Sequence, residues 1–394
     1  MSNASNTPSR SSASVAVIGA GIGGLAVAAC LRRIGIDVTI YEQAPQFSRV
    51  GAGIQMGPNA MQVLSRLGLR ERLATVAYTP PALANREWDS GELTFSLPMG
   101  DRAEKTYGAP YFLLHRGDLH EALTTLVPPG IVRLGRRVTA IHELADSVTL
   151  DFDDGSSVTA DAVIAADGVH SIVRQQMFSA DDAVFTRRVA YRTVFPTSLM
   201  DGNPPDVAST KWWGVDRHIV IYFVSAGREI YFTTSVPDED WTTESWSAQG
   251  DVAELRRAFA GFHPEVQAVL EACPSVHKWA IYDRDPLETW HSDRVVLLGD
   301  ACHPMTPYMA QGAATALEDA VVLSRCIEQL GFGRLPEAFA TYESARKPRT
   351  GRIQGESRSN RWLHHPQDTH WVYDYNAWSV ALPTPEPVAA GRED

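Results

Sequence analysis

The segment from Ser14 to Glu42 constrains the fold of this chain more than any other part of the sequence. The apolar run Val15–Ile18 predicts a buried strand, the Ala-rich stretch that follows predicts a helix, and Val38–Tyr41 predicts a second strand. A G-x-G-x-x-G turn joins the first strand to the helix. Strand, glycine-rich turn, helix and strand in this order predict the βαβ unit of a Rossmann-type α/β fold.

Each glycine of the turn has its own physical reason to be there. Gly19 permits a tight turn, Gly21 lacks the Cβ that would keep a pyrophosphate away, and Gly24 lets the helix pack closely on the strand. The phosphates then lie at the positive end of the helix dipole. Glu42, at the end of the second strand, is placed to accept hydrogen bonds from ribose hydroxyls, and its charge disfavours a 2′-phosphate. The segment therefore predicts FAD or NAD rather than NADP, the alternative being a glycine-rich turn in an ordinary α/β domain.

Length, charge and cysteine content narrow the class of protein. At 394 residues the chain exceeds one typical core, which favours one composite unit or two domains. A formal net charge of −12 argues against a nucleic-acid partner and requires a locally positive pocket for an anionic substrate. The cysteines lack metal-ligand spacing, which predicts reduced thiols, no metal site and a cytoplasmic location. Residues 1–13 predict a disordered leader, and no run reaches the length of a membrane span.

Candidate ligand contacts follow the βαβ unit. The segment Gly51–Gly53 suits close approach of the backbone to a flat ligand. Gln55 stands among apolar residues, where it either bonds a ligand in a cleft or satisfies the loop backbone. Arg116 ends an apolar strand, from which it reaches a phosphate or a ring edge. The alternative is a surface ion pair with Asp118, which is also predicted to cap the next helix.

A second acidic turn and an aromatic sheet come next. Asp167 and Gly168 end a buried strand, at the edge where open α/β sheets bind their ligands. Residues 185–236 alternate β-branched and aromatic side chains with period two, which predicts an inserted antiparallel sheet on the substrate side. The alternation puts His218 and Tyr222 on one face. They either point into a pocket or are satisfied residues of the sheet.

A third acidic turn follows the predicted strand Arg294–Leu298. Asp300 lies at the end of this strand, and Pro304 stiffens the loop after it. A long helix of small residues then begins near Gly312 and Ala313. Its first turn offers free N–H donors for an electron-rich ring edge.

These three motifs, in this order, resemble the single-component FAD-dependent aromatic hydroxylases with the para-hydroxybenzoate hydroxylase fold. The resemblance covers nearly the whole chain and implies FAD as cofactor, with NADH and O₂ as co-substrates. It implies a discontinuous FAD-binding domain (14–180 and 285–365), a substrate-binding domain (181–284), and a C-terminal segment and tail (366–394). C-terminal helices precede that last segment. The cofactor-binding residues so predicted are Gly19, Gly21, Gly24, Glu42, Gln43, Gly53, Arg116, Asp167, Asp300, Gly312 and Ala313.

Within that family, residues 49–61 (RVGAGIQMGPNAM), 211–218 (KWWGVDRH) and the near-terminal WVYDY resemble the 6-hydroxynicotinate 3-monooxygenases, which replace a ring carboxylate by hydroxyl and release CO₂. The resemblance implies His218 as base or proton relay and Tyr222 as the group that holds the ring oxygen or the carboxylate. The predicted substrate pocket is Gln55, Ser209, Trp212, Pro304 and Tyr308. Gln55, Ser209 and Tyr308 depart from that subgroup, so the reaction type transfers better than the substrate.

Other functions share these features. One is plain hydroxylation of a benzoate or pyridine, another is decarboxylative hydroxylation of a benzenoid acid such as salicylate, and a third is a non-catalytic flavin-binding regulatory protein. Release of CO₂ separates the first two, and substrate-stimulated NADH oxidation excludes the third. The predicted partners are a small aromatic acid, NADH and O₂, without nucleic acid or membrane, for a monomer or homodimer.

Overall fold

A computed structural model describes residues 13–49, 52–179, 181–202, 204–241 and 248–384. The predicted leader lies outside these ranges except for residue 13, and so do Gly51 and the predicted tail from residue 385 onward. The described strands are β1 Ser14–Ile18, β2 Asp37–Tyr41, β3 Gly53–Met56, β4 Ala82–Glu87, β5 Leu93–Pro98, β6 Phe112–His115, β7 Val132–Arg133, β8 Val138–Glu143, β9 Val148–Phe152, β10 Ser157–Ala160, β11 Ala162–Ala165, β12 Val184–Pro196, β13 Ser209–Trp213, β14 His218–Val224, β15 Glu229–Pro237, β16 Gln249–Gly250, β17 Val276–Asp283 and β18 Val295–Leu297. The described α-helices are α1 Ile22–Arg33, α2 Pro58–Arg66, α3 Arg70–Ala74, α4 Asp101–Tyr107, α5 Arg116–Thr124, α6 Ile172–Met177, α7 Val252–Ala258, α8 Pro264–Ala272, α9 Gly312–Leu330, α10 Leu335–Ser359 and α11 His370–Tyr373.

A parallel sheet carries the three acidic turns. Its strand order is β18-β11-β1-β2-β7, and all four pairings are parallel. Ile18 pairs with Ala165, which pairs with Leu297, so three strands end side by side. Helices α1 and α9 pack into the core of this sheet. The Rossmann-type prediction is therefore confirmed, and the turns after β1, β11 and β18 converge at one edge of the sheet.

A second, larger sheet has the strand order β16-β17-β12-β15-β14-β13-β4-β5. Its pairings are antiparallel except the one between β13 and β4, which confirms the prediction of a mostly antiparallel inserted sheet. Along β14, Ile219, Ile221 and Phe223 pack into one core with residues of α7 and α8. Tyr222 belongs to a different cluster on the opposite face. The two faces of this sheet therefore have different surroundings.

The large sheet also contains two strands from within residues 14–180. Strand β4 pairs with β13 in parallel, and β5 pairs with β4. The sequence analysis placed both strands in the FAD-binding segment, because a pairing between strands so far apart in sequence leaves no local signal. The domain boundaries at residues 180 and 284 remain a prediction, and β4 and β5 belong with the larger sheet in hydrogen bonding.

The two long helices α9 and α10 are joined by buried ion pairs. Arg346 on α10 donates to Glu318 and to Asp319 on α9, both at 2.7 Å, and all three side chains are fully buried. Arg349 adds a second donor to Glu318 at 2.8 Å. These contacts fix α10 against α9, which begins at the acidic edge of the parallel sheet. Within the described ranges, the helices lack the length and apolar character needed to cross a bilayer.

Candidate active site

The glycine-rich turn has the geometry that its sequence predicts. Gly19 has φ +96°, and a Cβ there would lie 2.5 Å from the carbonyl oxygen of Ala166. A Cβ on Gly24 would collide with the carbonyl oxygen of Gly19. By contrast, a Cβ on Gly21 would meet no described atom within 4 Å. Gly19 and Gly24 are therefore required by the protein itself, whereas Gly21 borders open space where a ligand can approach the backbone.

The carboxylate of Glu42 lies beside this turn. It accepts hydrogen bonds from the backbone N–H groups of Ala20 and Ala44, both at 2.8 Å. The first turn of α1 has no side-chain cap at Gly21. These contacts hold the Glu42 side chain at the edge of the turn, next to uncapped helix N–H groups, while Gln43 is exposed to solvent beside it.

Arg116 and Asp300 face each other at the same edge of the sheet. Both side chains are exposed to solvent, yet they are surrounded by enough protein for desolvation to shift both groups. Desolvation lowers the pKa of Arg116, and the Asp300 charge opposes that shift. Desolvation raises the pKa of Asp300, against the charges of His303 and Arg116. The pair therefore forms one polar cluster on the wall of an open cleft.

The start of α9 adjoins this cluster. A Cβ on Gly312 would lie 3.8 Å from Oδ1 of Asp300. Gln311 precedes the helix without capping it, since its side chain accepts a hydrogen bond from Asn59 at 2.9 Å. Gly312 and the half-buried Ala313 thus present backbone N–H groups next to Asp300.

The cap predicted for Asp118 is wrong, and the charge that acts on the pKa of Arg116 is that of Asp300. Asp118 pairs instead with Arg49, at 3.0 Å. The N-cap of α5 is His115, whose Nδ1 accepts a hydrogen bond from the Gly117 N–H at 3.0 Å. The helix begins at Arg116, three residues earlier than a cap at Asp118 implies, so Asp118 lies inside its first turn.

Asp167 and Gly168 lie directly beside the glycine-rich turn. A Cβ on Gly19 would be 3.2 Å from the Cα of Asp167. The Oδ2 atom of Asp167 accepts a hydrogen bond from the Ile172 N–H at 2.9 Å, which holds the start of α6. Its Oδ1 atom is buried and has no hydrogen-bond partner among the described residues. A role of Asp167 in nicotinamide binding remains a prediction.

A second group of predicted residues meets on the face of the large sheet that bears Tyr222 and His218, opposite the face covered by α7 and α8. This face is called the pocket face. Tyr222 is buried, and a Cβ on Gly53 would lie 2.8 Å from its hydroxyl and 2.6 Å from the ring of Tyr231. Gln55 accepts a hydrogen bond from the Tyr111 hydroxyl at 2.6 Å and also contacts Tyr222. Two tyrosine rings therefore explain the glycine at position 53, and the cofactor contact predicted for it remains a prediction.

His218 lies on the same face, at the start of β14. Its ring centroid is 5.3 Å from that of Trp213 and 5.5 Å from that of Tyr308. Burial lowers the pKa of His218 well below its ordinary value, and the positive charges of Lys211 and Arg188 lower it further. His218 is therefore neutral at physiological pH.

Asn360 connects His218 to Lys211. Lys211 Nζ donates to Asn360 Oδ1 at 3.0 Å, and Asn360 Nδ2 lies 3.4 Å from His218 Nδ1. An ammonium can only donate, so this contact assigns Oδ1 to the lysine side of the amide and Nδ2 to the histidine side. In that arrangement His218 Nδ1 accepts, and the proton of the neutral imidazole resides on Nε2.

The assignment of Trp212 to the substrate pocket is wrong. Trp212 is fully buried in the core on the other face of the sheet, where it stacks on His263 at 4.9 Å. The adjacent Trp213 faces the pocket, next to His218 and 4.6 Å from His364. Because successive side chains of a strand point to opposite faces, the two tryptophans cannot line the same cavity.

Among the remaining pocket candidates, Tyr308 contacts His218, and Ser209 lies further from it along β13. Tyr308 shares a hydrogen bond with Ser235 at 2.9 Å. The carbonyl of Pro304 accepts a hydrogen bond from Gln354 on α10 at 2.8 Å, which holds the loop after Asp300 in place. Ser209 is buried on β13 in the same alternation as Lys211 and Trp213. The structure thus gathers these side chains and loops around the pocket face.

Several residues of this region escaped the sequence analysis. They are polar or charged groups on the pocket face and in the segment after α10: Lys211, Arg188, Ser235 and Asn360. Lys211 lies two residues before Trp213 on a predicted strand, so the period-two pattern contained a signal for it. Ser235 lies on β15 directly opposite His218, a pairing that the period of one strand does not reveal. Asn360 directly follows α10, and only the tertiary fold brings it to the pocket.

Cys302 and His303 belong to a buried polar cluster behind the cleft. His303 Nε2 lies 2.5 Å from the Asp319 carboxylate, which also accepts from Arg346 at 2.7 Å. Burial would lower the pKa of His303, but Cys302 and Asp319 raise it well above its ordinary value. Burial also raises the pKa of the Cys302 thiol. The Asp319 carboxylate is therefore already engaged by two cationic groups.

The cleft at the edge of the parallel sheet fits FAD. Open space at Gly21 beside an uncapped helix suits a pyrophosphate, and Glu42 lies at the end of β2. Arg116, Asp300 and the start of α9 form a second polar group along the same cleft. The face bearing His218 and Tyr222 adds aromatic and hydrogen-bonding side chains of the kind that bind a ring substrate. This fold and this site define a flavin-dependent aromatic monooxygenase.

Comparison with known proteins gives the same result. The family described as FAD binding domain matches residues 12–357. The chain is 45% identical over 380 residues to 6-hydroxynicotinate 3-monooxygenase of Bordetella bronchiseptica, covering 96% of this chain and 97% of that protein. It is 42% identical to 3-amino-4-hydroxybenzoate 2-monooxygenase of Streptomyces cremeus, covering 87% and 86%. The structure of Klebsiella pneumoniae HpxO complexed with FAD and uric acid matches with a TM-score of 0.79 at 30% identity, covering 91% and 90%. The chain belongs to the family of FAD-dependent aromatic hydroxylases.

Proposed function

We propose that this enzyme uses NADH and O₂ to hydroxylate a hydroxylated pyridine or benzene carboxylate at the carbon that bears the carboxylate, with release of CO₂. The observation that carries the proposal is a neutral, buried His218 on the same sheet face as Tyr222, in a pocket next to cationic side chains. Relatives named as 6-hydroxynicotinate 3-monooxygenase at 45% and 41% identity support the substrate class.

The proposed reaction balances as follows. NADH is oxidised by loss of a hydride, one oxygen atom of O₂ enters the ring, and the other leaves as water with the two electrons from NADH and two protons. The ring carbon gains a C–O bond and loses its bond to the carboxylate, whose electron pair returns to the ring as CO₂ departs. FAD, when bound, supplies the two-electron chemistry that activates O₂.

The residues of the pocket bind and orient the ring. An oxyanion on the ring makes it a better nucleophile, and a donor placed at that oxygen stabilises the charge. His218 with its proton on Nε2 is suited to donate there, which supports the proton relay over the base among the two roles predicted for it. Tyr222, held by its contact with Gln55, offers a second hydroxyl to the ring oxygen or the carboxylate.

A panel of hydroxylated pyridine and benzene carboxylates tests the proposal. Each compound is scored by stimulation of NADH oxidation, O₂ uptake, product mass and CO₂ released per NADH. The proposal requires one acid that gives equal amounts of CO₂ and hydroxylated product. Hydroxylation without CO₂ would indicate the plain ring hydroxylase, and absence of stimulated NADH oxidation across the panel would exclude catalysis on this class.

Two variants separate ring chemistry from cofactor binding. His218→Ala should retain FAD but slow product formation by about 10²-fold or more, the usual size of a lost proton-transfer or oxyanion contact. Gly21→Val should fold but lose FAD, because its side chain enters the open space at the turn. Normal turnover by His218→Ala would remove His218 from the mechanism, and full FAD content in Gly21→Val would contradict the location of the pyrophosphate.

A further inference from the structure

Lys211 is the one lysine on the pocket face of β13 in the described chain, and its surroundings lack an anion. Its Nζ atom lies 3.8 Å from the ring centroid of Trp213 and 5.9 Å from that of Tyr308. Its hydrogen bond goes to the neutral amide of Asn360. Among the described residues, no Asp or Glu forms an ion pair with it.

The charged and titratable groups that contact Lys211 or shift its pKa are positive or neutral. Arg188 approaches from β12, His218 from β14, Tyr308 from the loop after β18, and His364 from the segment after α10. Glu87 on β4 acts on His364 and is not among the charges that shift the pKa of Lys211. Burial lowers the pKa of Lys211 well below its ordinary value, and the charge of Arg188 lowers it further. A half-buried ammonium among such groups is costly unless an anion joins it. The pocket is therefore built to gain one negative charge from outside the described chain.

We infer that Lys211 binds the carboxylate of the aromatic substrate and so selects acids over rings that lack the acid group. The inference rests on the proposed function, since it assigns a partner to the acid group of that substrate class. Asn360 joins the carboxylate end of the pocket to the His218 end, which fixes the distance between the two recognised groups. Trp213 lies against both Lys211 and His218 and forms the apolar wall between them.

Binding without NADH tests this inference independently of turnover. FAD-loaded protein is titrated with 6-hydroxynicotinate and with 2-hydroxypyridine, the same ring without its carboxylate, and the change in flavin absorbance gives each Kd. Lys211→Met should weaken 6-hydroxynicotinate about 10- to 100-fold, the range for a lost hydrogen bond to a charged group. It should leave 2-hydroxypyridine within about twofold, because Met keeps the aliphatic stem of the side chain.

Asn360→Asp is a second variant of nearly the same shape. Asn360 has φ +51°, a conformation that Asp tolerates better than most residues, so the fold should be retained. The new carboxylate would pair with Lys211 and compete with the acid group of the ligand. We expect 6-hydroxynicotinate to weaken about tenfold or more and 2-hydroxypyridine to change much less. Lys105→Met, on the exposed surface of α4, removes a charge elsewhere and serves as the matched control.

The outcomes are distinguishable. An equal loss for both ligands in Lys211→Met, or no loss for either, overturns the inference and leaves Lys211 a packing residue. 4-Hydroxybenzoate and phenol repeat the comparison on a benzene ring. If neither acid binds the wild type more tightly than its counterpart without the carboxylate, the inference is likewise overturned. Lys211-dependent binding of an acid that is hydroxylated without CO₂ release would support the inference while contradicting the proposed decarboxylation.

Discussion

The two faces of the large sheet each contain a lysine among aromatic rings, and the two lysines are satisfied in opposite ways. Lys278 Nζ lies 4.7 Å from the ring centroid of Trp241 and pairs with Asp238 at 2.7 Å and Glu254 at 2.8 Å. Lys211, on the pocket face, has an aromatic ring at a similar distance but an amide in place of the two carboxylates. The two lysines differ in their anionic partners: Lys278 is buried between two carboxylates, and Lys211 is half-buried without one.

This contrast shows how one sheet divides stability from binding. On the face covered by α7 and α8, charges are neutralised within the chain and large apolar side chains are fully packed. On the pocket face, the lysine has no acid of its own and His218 is kept neutral by burial and nearby cations. Lysine and carboxylates that neutralise one another stabilise the fold, whereas a lysine without a paired carboxylate can recognise an anion.

Substitution of Trp212 or Trp213 should give the largest difference in stability between the two faces of the sheet. Trp212→Ala should lower the free energy of unfolding by about 3–5 kcal/mol, because it empties a fully buried site stacked on His263. Trp213→Ala should cost less stability, since Trp213 is half-buried, but should weaken binding of the aromatic acid. Urea denaturation and ligand titration of both variants measure the two effects. A larger stability loss for Trp213→Ala would contradict the assignment of the faces.

The two lysines should respond to the same substitution with opposite signs. Lys278→Met should lower the free energy of unfolding by about 1–3 kcal/mol, because it leaves Asp238 and Glu254 without their cation. Lys211→Met should leave it unchanged or raise it. The pKa of Lys211 is lowered in the folded state, so the folded protein binds the lysine proton less tightly than the unfolded chain. Below the ordinary lysine pKa the charged Lys211 therefore destabilises the fold, and its removal does not. A marked loss of stability in Lys211→Met would contradict the comparison.

The pH dependence of the Lys278 effect follows from the same pair. Burial lowers the pKa of Lys278, but its acidic partners raise that pKa overall. The contribution of Lys278 to the free energy of unfolding is therefore complete below the ordinary lysine pKa and declines only as the pH rises through the folded pKa. Burial would raise the pKa of Asp238, whereas Lys278 and backbone N–H groups lower it overall. The contribution of ionised Asp238 to the free energy of unfolding is therefore present above the ordinary carboxyl pKa and is lost as the pH falls through the folded pKa. The difference between wild type and Lys278→Met should therefore shrink in acid, which denaturation at about pH 7 and about pH 3 measures.

The sequence was sufficient for the parallel sheet because its signals are local. Strand, turn, helix and acidic residue follow one another between residues 14 and 42, and each glycine has a steric reason within the unit itself. The pairing of β4 with β13 has no such signal. It joins strands from distant parts of the chain, so no local pattern gave a reason to group β4 and β5 with the larger sheet, and the predicted domain boundaries stay a prediction.

The candidate site was predictable where alternation was applied and failed where it was not. Period two placed His218 and Tyr222 on one face, as the structure has them. The same rule, applied to residues 211–213, would have separated Trp212 from Trp213 and put Lys211 in the pocket. Asn360 could not be found in this way, because its place beside His218 depends on where α10 ends in space. The cap of α5 was missed because a histidine, rather than the aspartate two residues after Arg116, accepts the N–H.

Protonation of His218 should give a smaller effect that reports on the pocket face. Burial, Lys211 and Arg188 lower its pKa well below 6.5, so the neutral form persists through the physiological range and is lost only in more acidic solution. We expect the acid limb of kcat/KM that arises from His218 to lie below pH 6.5, with a fall of at most about tenfold per pH unit. A pH–rate profile of wild type and Lys211→Met measures it. Removing the nearby charge should move this limb upward, and a limb that stays fixed would separate His218 from Lys211.

The smallest effect concerns the hydroxyl of Tyr308, which departs from the resembling subgroup. Tyr308→Phe removes the hydrogen bond to Ser235, but Ser235 Oγ still accepts from Arg188 Nε at 2.7 Å. No buried group on the described pocket face is thereby left unsatisfied, so the free energy of unfolding should fall by only about 0.5–1.5 kcal/mol. The ring that contacts His218 is retained, and so Kd for the aromatic acid should change less than threefold, or about 0.6 kcal/mol. Calorimetric melting and ligand titration measure both quantities. A tenfold change in Kd would show that the Tyr308 hydroxyl itself contacts the substrate, which would make position 308 a determinant of which ring this pocket face accepts.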